Sequence, residues 1–190
     1  NARQKRSKPR LDDKCLTSWN ALMLKGYLDA YNAFGDEKYL EIALKNATFI
    51  ETKLWHENGN LFRNFKNNTA TINGFLEDYC FVIQAFITLF QVTLNPSWLQ
   101  KSKQLTDYCL DHFYDSQTHF FSFTSDVDAK LISKHFEIED NVISASNSVM
   151  ALNLFQLSIY FEHAHYQNVA QKMLDIVVQN IDYPSAYANW

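Results

Sequence analysis

Glycine and proline are scarce in this chain, with four glycines and three prolines among 190 residues. All-β folds and open α/β folds spend more of both on turns, so the shortage favours long helices with short connections. Cysteine is also sparse. Cys15, Cys80 and Cys109 are odd in number and form no Cys-x-x-Cys pair, which argues against a disulfide framework. A reducing compartment follows, and a cytoplasmic location is expected. No apolar run reaches membrane length and no signal-peptide pattern is present, so no membrane partner is expected. A basic excess is lacking too: 17 Lys and Arg face 21 Asp and Glu, for a net charge of -4. General nucleic-acid binders carry the opposite balance, so nucleic acid is not an expected partner. No metal and no cofactor is expected. His163-Ala-His165 is the nearest approach to a metal pair, and it falls at a break between helices.

Apolar residues make up 47% of the chain, with fifteen Phe and ten Tyr. That is enough to bury one core, and the rings either fill it or line a ligand cleft. Residues 1–10 carry Arg3, Lys5, Arg6, Lys8 and Arg10 without apolar periodicity. They read as a basic lead-in, either a solvated tail or an arm that brings Arg10 to an anionic ligand. Helical period then sets in with Leu16, Trp19, Leu22, Met23, Tyr27 and Phe34, and Gly35-Asp36 stops it. A second helix is predicted from Tyr39 to Leu54. A turn at Glu57–Asn60 and a short strand at Leu61–Phe65 follow.

The same order recurs 59 residues later: a helix at Phe75–Phe90, a break at Asn95-Pro96-Ser97, a helix at Trp98–Tyr114, a turn, and a strand at Phe120–Phe123. A third pair of helices is predicted at Ser146–Phe161 and Tyr166–Ile181, shifted by 68 from the second. Repeats of roughly 16–65, 75–123 and 146–181 describe stacked helical hairpins in a single domain over 1–190. An open solenoid and an α/α toroid both use such units. The long connections with short strands favour the toroid. The predicted class is therefore all-α, a partial α/α toroid of about three of six helical hairpins, with β-hairpin-like strands in the long connections. The sequons Asn46-Ala-Thr48 and Asn67-Asn68-Thr69 are read as chance.

The repeat frame also locates candidate sites. Asp12-Asp13 and Glu139-Asp140 fall at equivalent places before the first and third inner helices, and Glu77-Asp78 opens the second. Carboxylates at helix N-termini cap the helix and complement its dipole. Three acidic pairs around one rim exceed that need. Adjacent helical residues point about 100° apart, so one of Glu77 and Asp78 faces the pit. Carboxylates and aromatic faces together suit a sugar or other polyhydroxylated small molecule, and two opposed carboxylates can hydrolyse glycosides. Asp12, Asp13, Glu77, Asp78 and Asp140 are the acid/base candidates. Arg10, Lys14, Trp19, Asn20, Phe75, Tyr79, Glu137, Asn141 and Asn147 are the candidate substrate contacts. His119 and His135 lie in the long loop within reach of the rim, and Cys15 sits beside Lys14 at a helix start as an inert or weakly activated thiol. The alternative function is a non-catalytic scaffold or binding module, in which these residues tie loops together.

Three blocks carry a resemblance. Lys8-Pro-Arg-Leu-Asp-Asp-Lys-Cys-Leu-Thr-Ser-Trp-Asn20, Gly74-Phe-Leu-Glu-Asp-Tyr79, and Phe136-Glu-Ile-Glu-Asp-Asn141 followed by Ser146-Asn-Ser-Val149 come in order over most of the chain. They resemble the spermatogenesis-associated, thioredoxin-domain-containing family. That resemblance implies a thioredoxin-like domain outside these residues, followed by a six-hairpin toroid. It relates the toroid to N-acylglucosamine 2-epimerases and six-hairpin glycosidases, and it makes the remainder of the same polypeptide an expected partner. Self-association through exposed flanks is expected as well. Ala21, Cys80 and Ser144-Ala145-Ser146 depart from the family's usual Gly, Ala and Pro-Ser-Gly. No His stands at an inner-helix start, which counts against epimerase chemistry within this segment.

Overall fold

A computed structural model of the chain describes residues 2–8, 11–56, 59–129 and 133–190. Six α-helices dominate it: α1 Thr17–Phe34, α2 Glu37–Phe49, α3 Leu76–Thr93, α4 Pro96–His112, α5 Ser146–Tyr160 and α6 Ala164–Asn180. α2 runs on into a π-helical turn at Ile50–Leu54. α1 and α3 begin 59 residues apart, as do α2 and α4, so the register read from sequence is structural.

Local chemistry sets the boundaries. Gly35 ends α1 at φ 68, where only glycine is free of strain, and its N–H bonds the Tyr31 carbonyl. Asp36 and Asn95 cap α2 and α4 by accepting from Lys38 N and Ser97 N, at 3.0 and 3.1 Å. Pro96 occupies the first turn of α4, where its missing N–H costs nothing.

The helices form three hairpins, α1·α2, α3·α4 and α5·α6, and α3 packs against both α1 and α5. α1, α3 and α5 thus make an inner row, with α3 in its middle. The core follows from that position. Nearly every residue of α3 from Leu76 to Leu89 is buried, including Tyr79, Phe81, Ile83 and Phe86. α1 and α5 bury only one face each, through Ala21, Leu24 and Leu28 and through Met150, Leu154 and Leu157. Asn153 crosses this core, and its Nδ2 donates to the Cys80 carbonyl at 2.8 Å.

Short strands cover the N-terminal ends of the inner helices. β1 Cys15–Leu16, β2 Phe62–Lys66 and β3 Thr69–Asn73 form an antiparallel sheet in that order. β4 Tyr114–Asp115 and β5 Phe120–Phe121 form a second, two-stranded sheet. The β2–β3 connection gives Asn67 and Asn68 a structural role. Lys66 pairs with Thr69 across a two-residue turn, and Asn67 and Asn68 both have positive φ, 51 and 59. This is the type I′ geometry that asparagine tolerates best after glycine. No described helix is long and apolar enough to cross a membrane.

Candidate functional site

The first turn of α3 is the best-connected point of the rim. Asp78 there is 0% exposed. Its Oδ1 accepts from the Ser18 N–H at 2.9 Å, at the start of α1. Its Oδ2 accepts from the Phe75 N–H at 2.9 Å and from Arg63 Nη1 at 3.2 Å. One carboxylate therefore joins α1, β2 and α3. Burial pushes its pKa up to about 6, against the opposing pull of the Phe75 N–H, Arg63 and the Ser18 N–H. Glu77, one position earlier, remains partly open and accepts from Arg63 Nη1 at 2.6 Å. The Arg63 guanidinium lies 4.4 Å from the Phe75 ring centroid.

The start of α5 is built the same way from different residues. Asp140 Oδ1 accepts from Ala145 N at 2.8 Å, and its Oδ2 from Asn189 N at 2.9 Å. These bonds hold its carboxyl below the usual range against the opposing effect of desolvation. Glu137 Oε2 accepts from Ser146 N at 3.1 Å. Asn147 is buried, donates to the carbonyls of Phe121 and Glu137, and accepts from Phe121 N. The two clusters are neighbours. The buried Cys80 thiol of α3, raised chiefly by burial, also feels the charges of Glu137, Glu77 and Asp78. Carboxylates from two hairpins thus act on one turn of the central helix.

The remaining expected residues divide by exposure. Trp19 is 62% exposed, directly after Ser18. Asn20 is half-buried, and its Nδ2 donates to Leu16 O. Asp12 and Asp13 are exposed and lie in surface ion pairs, Asp12 with Lys14 at 3.3 Å and Asp13 with Lys66. Asn141 is exposed in the loop before α5. Tyr79, expected among the substrate contacts, is a core side chain. It is 1% exposed, it stacks on Tyr108 at 5.3 Å, and its hydroxyl accepts from Leu61 N. Asn147 and Asp78 likewise face the protein: Asn147 bonds the backbone of Phe121 and Glu137, and Asp78 accepts from two backbone N–H groups and from Arg63. Phe75 has one face covered by Arg63 and packs against Phe123 at 4.9 Å. Arg10 lies outside the described residues. Sequence reasoning passed over Arg63. The signal was a buried-looking acidic pair at 77–78 with no cation one helical turn away, which demands a partner from another element.

His119 bonds the Tyr114 hydroxyl at 3.2 Å, while His135 packs against Phe123. Among the described residues no group of three or more His, Cys, Asp or Glu could hold a metal ion.

An inner row of parallel helices, outer partners and strand-decorated rim connections define an α/α toroid fold, and solved structures agree. The unsaturated glucuronyl hydrolase from Bacillus sp. GL1 superposes with TM-score 0.70 at 14% identity, over 94% of this chain and 51% of that one. The cellobiose 2-epimerase from Spirochaeta thermophila gives TM-score 0.69 at 15% identity, over 86% and 43%. In sequence, the chain is homologous to proteins named spermatogenesis-associated protein 20. The human one is 29% identical over 177 residues, 88% of this chain and 22% of its own length. An uncharacterised Caenorhabditis elegans protein is 31% identical over 180 residues, 90% of this chain and 24% of its own. The chain thus spans about a quarter of the length of these relatives. No family model matches it.

Proposed function

We propose that these residues form part of a carbohydrate-binding rim, with Glu77 as the acid/base candidate, Glu137 as its counterpart from the third hairpin, and Trp19 as the stacking surface. The observation that carries this is the division of labour within the Glu77-Asp78 pair. Asp78 is consumed in tying three elements together, and its neighbour is left partly open beside Arg63. A carboxylate held by a guanidinium is positioned to accept a bond from a sugar hydroxyl, and an exposed indole covers the apolar face of a ring. The fold neighbours named above act on sugars by name, which supports the class and no particular reaction. Asp12, Asp13 and Asp140 serve position and solubility in this reading.

The test is a thermal-shift screen of neutral, amino and acidic monosaccharides against the 190-residue chain, repeated with Glu77→Gln and Trp19→Ala. A sugar-dependent rise in Tm that both variants reduce is the expected result. A rise in neither the parent nor the variants would remove the carbohydrate reading.

The saturation of Asp78, Asp140 and Asn147 by backbone groups favours a second reading. Here the rim is a non-catalytic scaffold that serves another part of a longer polypeptide, such as the thioredoxin-like domain implied by the family resemblance. It is distinguished by unchanged melting with every sugar, together with a large loss of stability on Asp78→Ala.

A further inference from the structure

Between the loop that precedes α5 and the C-terminal half of α6 lies a cavity of about 510 Å³. That is within the range of small-molecule sites. The loop before α5 forms one wall through Phe136, Glu137, Glu139 and Asn141, Phe120 of β5 adds a ring, and Tyr187 closes it from the C-terminal end. The closing segment is fastened rather than loose. Asp140 N donates to Ala186 O at 2.7 Å, Asn189 N donates to Asp140, and Trp190 Nε1 donates to Ile138 O at 2.8 Å. Trp190 also packs edge-on against Phe120, with centroids 6.1 Å apart.

The lining has a definite charge. Glu137 and Glu139 face the same space, and no lysine or arginine lines it among the described residues. Glu139 is only weakly engaged, by the Tyr187 hydroxyl at 3.4 Å, so its oxygens remain available as acceptors. Carboxylate acceptors, an amide that both donates and accepts, and three aromatic rings match a ring that is apolar on its faces and hydroxylated at its edge. Two carboxylates without a cation repel an anion at this range.

We propose that this cavity is a separate subsite for an uncharged or ammonium-bearing sugar, and that it rejects uronates and sugar phosphates. It borrows the choice of ligand class from the carbohydrate reading of the rim and shares Glu137 with it, but its ligand contacts are other residues. Glu139 and Asn141 are the hydrogen-bonding contacts, Phe136 and Tyr187 the ring surfaces, and Trp190 the internal reporter.

The experiment titrates the full chain at pH 7, where an amino sugar carries its ammonium charge. The ligands are methyl glucoside, glucosamine and glucuronate, followed by tryptophan emission in a Trp19→Phe background that silences the rim indole. In that background methyl glucoside and glucosamine are expected to change emission, and not once Trp190→Phe is added, with glucuronate silent. Glu139→Gln and Asn141→Ala, both at exposed positions that folding tolerates, are expected to weaken binding about tenfold or more, while Glu77→Gln leaves it unchanged. Glucuronate binding as well as methyl glucoside overturns the charge argument. Binding that Glu77→Gln abolishes and the cavity variants spare overturns this subsite and leaves the rim reading standing. No response to any sugar removes both.

Discussion

At the scale of single residues, Asp78 shows why a carboxylate in a rim is not automatically a reactive one. Three donors from three elements converge on it, and burial still raises its pKa to about 6. The sign of the resulting pH effect is unusual for an aspartate. Between its ordinary value near 4 and its folded value near 6, the folded protein holds a proton that the unfolded chain has released. Its contribution to stability is therefore present below that window and declines as pH rises through it. Asp140 acts oppositely, since its depressed value gives stability above pH 4 that is lost on acidification. Comparing urea midpoints at pH 4.5 and 6.5 for the parent and Asp78→Asn isolates the first effect. The parent is expected to lose more stability across that interval than the variant, and equal changes would refute the assignment. Removing the carboxylate altogether leaves the Ser18 and Phe75 N–H groups without their acceptor and the partly buried Arg63 with Glu77 alone. Asp78→Ala is expected to cost about 3–5 kcal/mol by chemical denaturation. Asp13→Ala, which breaks a solvent-exposed pair with Lys66, is expected to leave the midpoint in place.

At the scale of elements, the β2–β3 hairpin carries the most strain. Ile72 lies in β3 at φ 62, a left-handed conformation that is uncommon for any residue and most costly for a β-branched one. The pairs Phe62–Asn73 and Asn64–Thr71 flank it, so the distortion sits opposite Arg63, whose guanidinium reaches the α3 carboxylates. Ile72→Gly relieves the strain and is expected to raise stability by about 1 kcal/mol in a urea titration. A loss of stability would mean that the exposed Ile72 side chain contributes more than its backbone costs.

This hairpin also marks the limit of what the sequence disclosed. Helical period, Gly35, Asn95-Pro96 and the 59-residue offset are local signals, and local energetics settle the elements they mark. β3 reads Thr-Ala-Thr-Ile-Asn, without a strong apolar alternation, and its pairing is fixed by the Asn67-Asn68 turn and by β2. The same holds at the site. That one of Glu77 and Asp78 turns inward follows from the 100° step, but which one does so depends on where Ser18 N and Arg63 lie after folding. Tyr79 reads from sequence as one of the aromatic residues among the rim carboxylates. Its burial is a property of α3 being flanked on both sides, which no window of sequence reports.

At the scale of the whole molecule, α3 is enclosed and its two inner neighbours are not. Trp19 and Met23, with Gly26 next in the row, lie on the face of α1 opposite Ala21, Leu24 and Leu28. Leu152, Phe155 and Ile159 form the matching stripe on α5, beside a groove of about 260 Å³ that Leu174 and Trp190 also line. Met23 is 56% exposed, Phe155 49% and Ile159 62%. Isolated apolar residues on a surface are ordinary, but helical stripes of them at both edges of one row are faces suited to another helix. The two fold neighbours named above are matched over about half of their own length, 43% and 51%. Taken as the 190-residue chain, the protein is therefore expected to self-associate in a concentration-dependent way, with the α5 edge of one copy against the α1 edge of the next. Sedimentation velocity between roughly 1 and 100 μM, a span in which weak protein contacts saturate, measures this. Phe155→Glu and Met23→Glu are each expected to shift the chain toward monomer, because the pairing is heterologous and needs both edges. Dissociation by Phe155→Glu alone would indicate α5-to-α5 pairing, and a parent monomeric at 100 μM would show that neither edge is an adhesive surface.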